Sequence, residues 1–391
     1  MERFDLCVIG GGPSGYAAAM RAVDLGKKVA LVERSKVGGT GVYDGALSSK
    51  TLWELSQKVR SINDTIVSSG RAKFELQWDE VKRTLEEAVF ERKFQYSCHI
   101  KLLQTETEST QFQHIRGEGQ MLNPNEILVT REKDDHSKVI WADYIVIATG
   151  SRPRSLPNIV PDEDKIMTSD GIHHLKDFPK SMVIVGAGVI GCEYATMFAN
   201  FGKTTVHMID RKDRILPFED RDISEMVTKN LQRKEVLVHR EASLDRLEKT
   251  EEGIEYEVSR PDGTRETYHV EKALLSVGRV PNLESLGMED AGVSMSRRAY
   301  HIGDDDTQTN VPNIFAVGDA TGRIALVNMG ELEGRHAVEK AFGVSEGRLS
   351  YDNICKIMFL QPEVAAVGMN EQECLEHGLN IRVVKIDYSM I

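Results

Sequence analysis

The chain has 391 residues, 40% hydrophobic and 28% charged, which suits two or three packed domains and excludes a disordered chain. Its net charge of −12 argues against a nucleic-acid partner, and no stretch approaches the ~18 consecutive apolar residues of a membrane span. The cysteines Cys7, Cys98, Cys192, Cys355 and Cys374 are too scattered for a redox pair or zinc knuckle, a pattern that suits a reduced, cytoplasmic setting.

Phe4 to Gly10 is an apolar run without a basic leader or cleavage site, and it predicts a β-strand, not a targeting segment. Residues 4–34 read as strand, glycine turn, amphipathic helix, glycine stop, second strand and acid, a βαβ unit. Gly10, Gly12 and Gly15 form G-x-G-x-x-G directly after the strand. The first glycine permits a tight turn, the second lets the backbone approach a pyrophosphate, and the third lets helix and strand pack. Pro13 and Ser14 open a helix whose free N–H groups and positive dipole end suit phosphates. Glu33, 18 residues after Gly15, is placed to accept ribose hydroxyls.

Lys50 to Ile62 has helical apolar spacing, and Trp78 to Leu103, dense in alternating charge, predicts a long solvated helix. Residues 110–145 predict short strands, with turns at Asn123-Pro124-Asn125 and around Asp134-Asp135. Tyr144 to Thr149 reads as a further strand ending at Gly150. Residues 182–211 then repeat the βαβ unit, with Gly186, Gly188 and Gly191 in the turn and Asp210 at the acid position. Duplication at this separation implies two nucleotide-binding domains. An acid at position 210 favours NAD(H), since it repels a 2′-phosphate. Arg211 and Lys212, with Arg214 close by, can pair with that phosphate, so NADP(H) stays open. Further on come a helix near Ile223 to Lys234, a meander broken at Pro261-Asp262-Gly263, strands at Leu274 to Gly278 and Ile314 to Gly318, and a helix from about Gly330 to Phe342. His301, His336 and His377 read as surface residues.

Four segments interleave with the two glycine motifs: VGGTGVYDGALSSK (37–50), IVIATGSRP (145–153), VGRVPN (277–282) and IFAVGD (314–319). In this order they resemble the FAD-dependent pyridine nucleotide-disulfide oxidoreductases over nearly the whole chain. GVIGCEYA (188–195) is most like the soluble pyridine nucleotide transhydrogenase branch, and the chain as a whole is most like that branch or the dihydrolipoamide dehydrogenase branch of the family. The resemblance implies an α/β fold with two Rossmann-like dinucleotide-binding domains and the start of an α+β dimerisation domain. It divides the chain into a discontinuous FAD domain (1–153 and 278–350), an NAD(P) domain (154–277) and an incomplete C-terminal domain (351–391).

Carried over residue by residue, the resemblance assigns Gly10, Gly12, Pro13, Ser14, Gly15, Glu33 and Arg34 to the ADP half of FAD, with Gly39 and Thr40 in the following loop. Ala148, Thr149 and Gly150 lie near the same moiety, and Gly318 and Asp319 by the ribityl chain. Gly186, Gly188, Val189, Ile190, Gly191, Asp210, Arg211 and Gly278 are assigned to the nicotinamide dinucleotide. The catalytic candidates are Lys50, placed by flavin N5, and its partner Glu193. A cation there stabilises negative charge on reduced flavin. No metal is expected.

The chain departs from the family pattern at two places. In the loop that reads G-G-T-C-x-x-x-x-C-x-P-S-K in the family, Gly41 and Ala46 occupy the cysteine positions and Ser48 replaces the proline. Without thiolates, thiol–disulfide reduction is excluded on chemical grounds. The expectation is an FAD-dependent NAD(P)H oxidoreductase that passes hydride on to an unknown acceptor, most like a transhydrogenase. The alternatives are a dihydrolipoamide dehydrogenase-related diaphorase and a non-catalytic FAD/NAD-binding sensor. At the other end, Pro362 to Gly378 resembles the start of the dimerisation domain, which in the family continues well past Ile391 to an H-P-T-x-x-E histidine base. The reading is a shortened chain, and a homodimer where that domain is complete.

Overall fold

The computed structural model describes residues 1–67, 72–106, 111–131, 136–295 and 306–390. The turn expected at Asp134-Asp135 and the histidine His301 lie outside them. The chain divides into two compact units: residues 1–52, 80–154 and 279–350 form the first, and residues 53–79, 155–278 and 351–391 the second. The segment 351–391, expected as a domain of its own, falls in the second unit.

The first unit is built on a seven-stranded sheet. At its centre the strand Glu2–Ile9 turns Cys7 and Ile9 to one buried layer and Leu6 and Val8 to the other. A strand covered on both faces must be apolar on both, which is why this run lacks alternation. Val29–Glu33 and then Phe112–Arg116 pair parallel on one side, and His136–Ile147 and then Ile314–Ala316 on the other. The strand expected at Tyr144 to Thr149 is the end of one 12-residue strand, His136–Ile147. Its first half pairs antiparallel with Glu126–Arg131 and its second half parallel with Glu2–Ile9. The exposed, polar start at His136, Ser137 and Lys138 conceals this continuity from an apolar-run reading. The turn at Asn123-Pro124-Asn125 forms as expected, with Asn123 Oδ1 accepting the amides of Asn125 and Glu126 at 3.0 Å each. The helix Trp78–Glu106 is largely solvated, but it buries Val81, Leu85 and Ile100. Helices Pro13–Asp24 and Val327–Ala341 cover one face of the sheet. They approach so closely that a Cβ on Gly334 would lie 2.3 Å from the Ser14 carbonyl oxygen.

The second unit holds a five-stranded parallel sheet in the order Leu237–His239, Thr205–Ile209, Ser181–Val185, Lys272–Leu275, Ile166–Met167. The helix Val189–Phe201 is buried almost all round, and its sequence is correspondingly apolar on every face. The meander Ser243–Lys249, Ile254–Ser259 and Arg265–Val270 forms an antiparallel layer. Its Ile254, Tyr256, Val258 and Val270 pack with Val183, Val185, Ile209 and Leu275. In the last segment Asn370 caps the helix Glu371–Glu376 with a capping box. Asp220 accepts the Glu371 amide at 3.0 Å, and Gln372 Oε1 accepts the Arg221 amide at 3.1 Å. Two helix N-termini thus satisfy each other's orphan donors. Among the described residues no helix is long and apolar enough to cross a membrane.

His207 and His239 sit beside Tyr256 and Tyr268 in this unit. His239 is 1% exposed, and burial first, then the neighbouring His207 and Arg260, pushes its pKa down to about 4. Below pH ~6.5 the unfolded chain takes up a proton that folded His239 refuses, so its contribution is present above that pH and is lost as pH falls towards 4. The expected loss between pH 7.5 and 5 is about 2 kcal/mol, measured by urea unfolding. A His239→Phe variant should lack that part of the slope, and identical slopes in both proteins would reject the assignment.

Candidate dinucleotide sites

In both sheets the chain leaves its first βαβ strand to one side and later returns to the other, and the crevice at such a switch point is where ligands bind. In the first unit this is the carboxyl end of Glu2–Ile9 and His136–Ile147. Gly10 has φ 108°, and a Cβ there would lie 2.3 Å from the Ala148 carbonyl oxygen. A Cβ on Gly15 would lie 1.9 Å from the Gly10 oxygen, so the third glycine is demanded by packing. Gly12 differs: its Cβ would meet nothing within 4 Å. The helix that starts at Pro13 has no side-chain cap and no acid in its first turn. Its orphan N–H groups and the space beside Gly12 fit a pyrophosphate. Buried Glu33 accepts the Gly11 amide at 2.6 Å and the Ser35 amide at 2.7 Å, one on each oxygen. Each oxygen keeps a second lone pair for a ribose hydroxyl. Arg34 is exposed, 3.9 Å from Glu118. The loop carrying Gly39 and half-buried Thr40 docks on the turn, with the Gly38 amide donating to the Gly11 oxygen at 2.8 Å.

Gly41 lies in the short helix Gly39–Val42, and Ala46 opens the helix Ala46–Val67. A Cβ on Gly41 would lie 2.5 Å from Pro13 Cγ and 3.1 Å from its Cδ. A proline ring cannot rotate away, so position 41 does not admit a side chain without moving the start of the first helix. All five cysteines are free, and Cys7 and Cys192 are fully buried. Burial pushes the Cys7 thiol up to about 12, and burial with the nearby Asp210 pushes Cys192 up as well.

The segments ATGSRP, GRVPN and VGD interlock. Thr149 Oγ1 donates to the Asn282 oxygen at 2.6 Å, Asn282 Nδ2 to the Thr149 oxygen at 3.0 Å, and the Asn282 amide to the Gly150 oxygen at 2.9 Å. The Gly318 amide donates to Glu333 at 2.6 Å, and Glu333 is fully buried. Asp319 accepts the Ser151 hydroxyl at 2.6 Å. Arg279 donates to Ser151 Oγ at 2.7 Å and to its carbonyl at 2.8 Å. Sequence reasoning missed Glu333, Ser151 and Arg279; the one signal available was that two of them lie inside the quoted motifs. His336, expected at the surface, is 8% exposed and bonds Asp306 at 2.7 Å, with Lys340 on the other carboxylate oxygen. Burial opposes ionisation of Asp306, but the hydrogen bonds from Lys340, the Thr307 amide and His336 prevail and hold it below the usual carboxylate range. His377 is exposed, as expected.

The second site repeats the first. Gly186 has φ 102°, with a Cβ position 2.5 Å from the Ser276 oxygen, and a Cβ on Gly191 would lie 2.0 Å from the Gly186 oxygen. Gly188 again faces open space, and the helix after it, beginning with half-buried Val189 and Ile190, has no side-chain cap. Asp210 accepts the Ala187 amide at 2.7 Å and the Lys212 amide at 2.9 Å. Arg211 and Lys212 are exposed, whereas Arg214 is committed to the Pro217 and Glu219 oxygens at 2.8 and 3.3 Å. Exposed Gly278 has φ 103° with nothing within 4 Å of its Cβ position. Glu193 is 5% exposed and accepts the Phe359 amide at 3.0 Å in the second unit. Lys50 is half-buried in the first unit.

Residues 4–334 match the family described as pyridine nucleotide-disulphide oxidoreductase. A dihydrolipoyl dehydrogenase of Bacillus subtilis is 31% identical over 401 residues, covering 99% of this chain and 82% of its own. The mitochondrial dihydrolipoyl dehydrogenase of Schizosaccharomyces pombe is 30% identical over 397 residues, covering 99% of this chain and 75% of its own. Among solved structures, LpdA from Mycobacterium tuberculosis matches with a TM-score of 0.83 at 26% identity, over 97% of this chain and 80% of its own. The HOCl-induced flavoprotein disulfide reductase RclA from Escherichia coli, in its Cu(II) complex, gives 0.79 at 27% identity over the same shares, 97% and 80%. With its duplicated Rossmann-like units and a match that runs through both, the chain belongs to the pyridine nucleotide-disulphide oxidoreductase family, as a flavin-dependent pyridine nucleotide oxidoreductase.

Proposed function

We propose that this protein moves hydride from NAD(P)H to a second, non-disulfide acceptor, in the manner of a soluble pyridine nucleotide transhydrogenase. The observation that supports this reading is position 41. It carries no thiol, and Pro13 stands where a side chain would begin. Bound FAD supplies reversible two-electron acceptance. The chain's residues bind and orient. The amides after Gly12 hold one pyrophosphate, with Glu33 on the ribose and Asp319 on the ribityl chain. The amides after Gly188 hold the other pyrophosphate. Lys50 places positive charge where reduced flavin is negative. NAD(H) is the favoured nicotinamide: Asp210 is fixed at the turn, and Arg214 Nη2 is held by the Pro217 and Glu219 carbonyls. A homodimer belongs to the same reading where the C-terminal domain is complete.

Stopped-flow mixing of the FAD-loaded protein with NADH should bleach the flavin band, followed by reoxidation with an NADP⁺ analogue but not with lipoamide. A flavin band unchanged by NADH would reject the hydride step. Asp210→Ala should weaken NADH about tenfold, the loss of roughly one charge-assisted hydrogen bond, and NADPH less. Equal NADH affinity in parent and variant would remove Asp210 from the site. The names of the relatives favour one second reading, a dihydrolipoamide dehydrogenase-related protein with diaphorase activity only. Dye reduction without any transfer to NADP⁺ would select it.

A further inference from the structure

Chain topology brings three polar residues from distant parts of the sequence to the edge of the first site. Ser151 follows the ATG turn, Arg279 follows Gly278, and Asp319 follows Gly318. The strands Ser151–Pro153 and Arg279–Pro281 pair antiparallel, with Arg279 opposite Pro153 and Pro281 opposite Ser151. Arg279 Nε donates to Ser151 Oγ at 2.7 Å and Nη2 to the Ser151 carbonyl at 2.8 Å. One fork therefore fixes both the backbone and the side chain of the serine. A hydroxyl has one proton to give. With an oxygen lone pair taken by Arg279, the Ser151 proton goes to Asp319 Oδ2 at 2.6 Å. Arg279 Nε itself lies 3.9 Å from that oxygen. The turn beneath is held by the Gly318 amide on buried Glu333 at 2.6 Å. The other oxygen, Oδ1, has no partner among the described residues.

We infer that Arg279 is a positioning residue for Asp319: acting through Ser151, it locks one carboxylate oxygen so that the other is presented to a ribityl hydroxyl of FAD. This rests on the reading of Asp319 as a flavin-side residue. Only an arginine suits the role, because a lysine ammonium is a point donor and cannot engage the serine hydroxyl and carbonyl in one plane. The carboxylate is thus oriented before the cofactor arrives, and binding does not have to order it.

The test is FAD affinity of the apoprotein, followed by quenching of flavin fluorescence, with ADP affinity measured alongside. Arg279→Met should weaken FAD about tenfold or more, and Ser151→Ala by a comparable factor. The double variant should be no worse than the weaker single, because the two residues act in series. Arg279→Lys should recover only part of the loss. ADP, which lacks the ribityl chain, should bind all variants as it binds the parent. Within a series of deoxyribityl FAD analogues, the one lacking the accepted hydroxyl should bind parent and Arg279→Met alike. FAD affinity within twofold of the parent in Arg279→Met, or an equal loss of ADP and FAD, would overturn the inference. The Asp319→Asn variant separates the two levels. Unchanged FAD affinity there would sink the ribityl role of Asp319 and the clamp with it. Weakened FAD there, with intact affinity in Arg279→Met and Ser151→Ala, would sink the clamp alone.

Discussion

Gly188→Ala should leave the thermal transition of the apoprotein within about 2 °C of the parent and FAD loading intact, while weakening NADH by about 30-fold or more. The asymmetry comes from where the new methyl group goes. Gly188 has φ −79°, open to any residue, and nothing in the protein lies within 4 Å of its Cβ position. Glycine is the better N-cap, so alanine at this uncapped helix start costs about 0.5–1 kcal/mol, which in a chain of this size moves the thermal transition only slightly. The methyl fills the space that a pyrophosphate needs to reach the amides of the helix. One or two charge-assisted hydrogen bonds, each worth about 1.5–3 kcal/mol, are then lost. Titration calorimetry with NADH measures it, and an unaltered Kd would mean that the nucleotide lies elsewhere. Gly12→Ala is the mirror experiment for FAD. Gly10→Ala and Gly186→Ala are different in kind. Their φ values are 108° and 102° and their Cβ positions strike backbone at 2.3 and 2.5 Å, so they should damage the fold as well as the site.

The second large effect concerns the loop after the first βαβ unit. Introducing both cysteines, Gly41→Cys with Ala46→Cys, should not create lipoamide reduction above background and should weaken FAD at least tenfold. A Cβ 2.5 Å from Pro13 Cγ must push the first turn of the FAD-side helix. Overpacking of this sort costs about 1–3 kcal/mol. Ala46→Cys alone is the control, since position 46 already carries a Cβ, and its FAD affinity should stay near that of the parent. NADH-dependent lipoamide turnover by a fully loaded double variant would show that only the thiols were missing and that the loop geometry is permissive.

The parts of the sites that were legible in the sequence are those whose chemistry is local. A glycine at positive φ, an acid at a strand end and an uncapped helix start are all encoded within about 25 residues, so both turns and the positions of Glu33 and Asp210 beside them could be placed from spacing. The strand Glu2–Ile9 was legible because both of its faces are buried. The strand His136–Ile147 was not, because its first half borders solvent and its pattern changes midway. Glu333, Ser151 and Arg279 escaped for another reason: their partners lie 15 to 168 residues away, and no periodicity encodes a contact at that range. His336 was misplaced on the same ground, since Asp306 and Lys340 make its burial tolerable and only the fold brings Asp306 to it. Arg214 looked available for a 2′-phosphate in sequence, whereas two carbonyls of its own loop hold its Nη2.

The splitting of each unit along the chain has a consequence for synthesis. The strand Ile314–Ala316, which completes the parallel side of the first sheet beside Ile145–Ile147, lies beyond the 124 residues that separate Arg154 from Arg279. At translation rates of about 5–20 residues per second, that interval lasts on the order of 6–25 s. Throughout it the nascent first sheet carries an open, apolar edge at Ile145, Val146 and Ile147, with its covering helix Val327–Ala341 not yet made. Such an edge is a template for pairing with other chains. Yield on expression should therefore rise with holding chaperones and lower growth temperature, and yields that respond to neither would show that the edge is covered in another way.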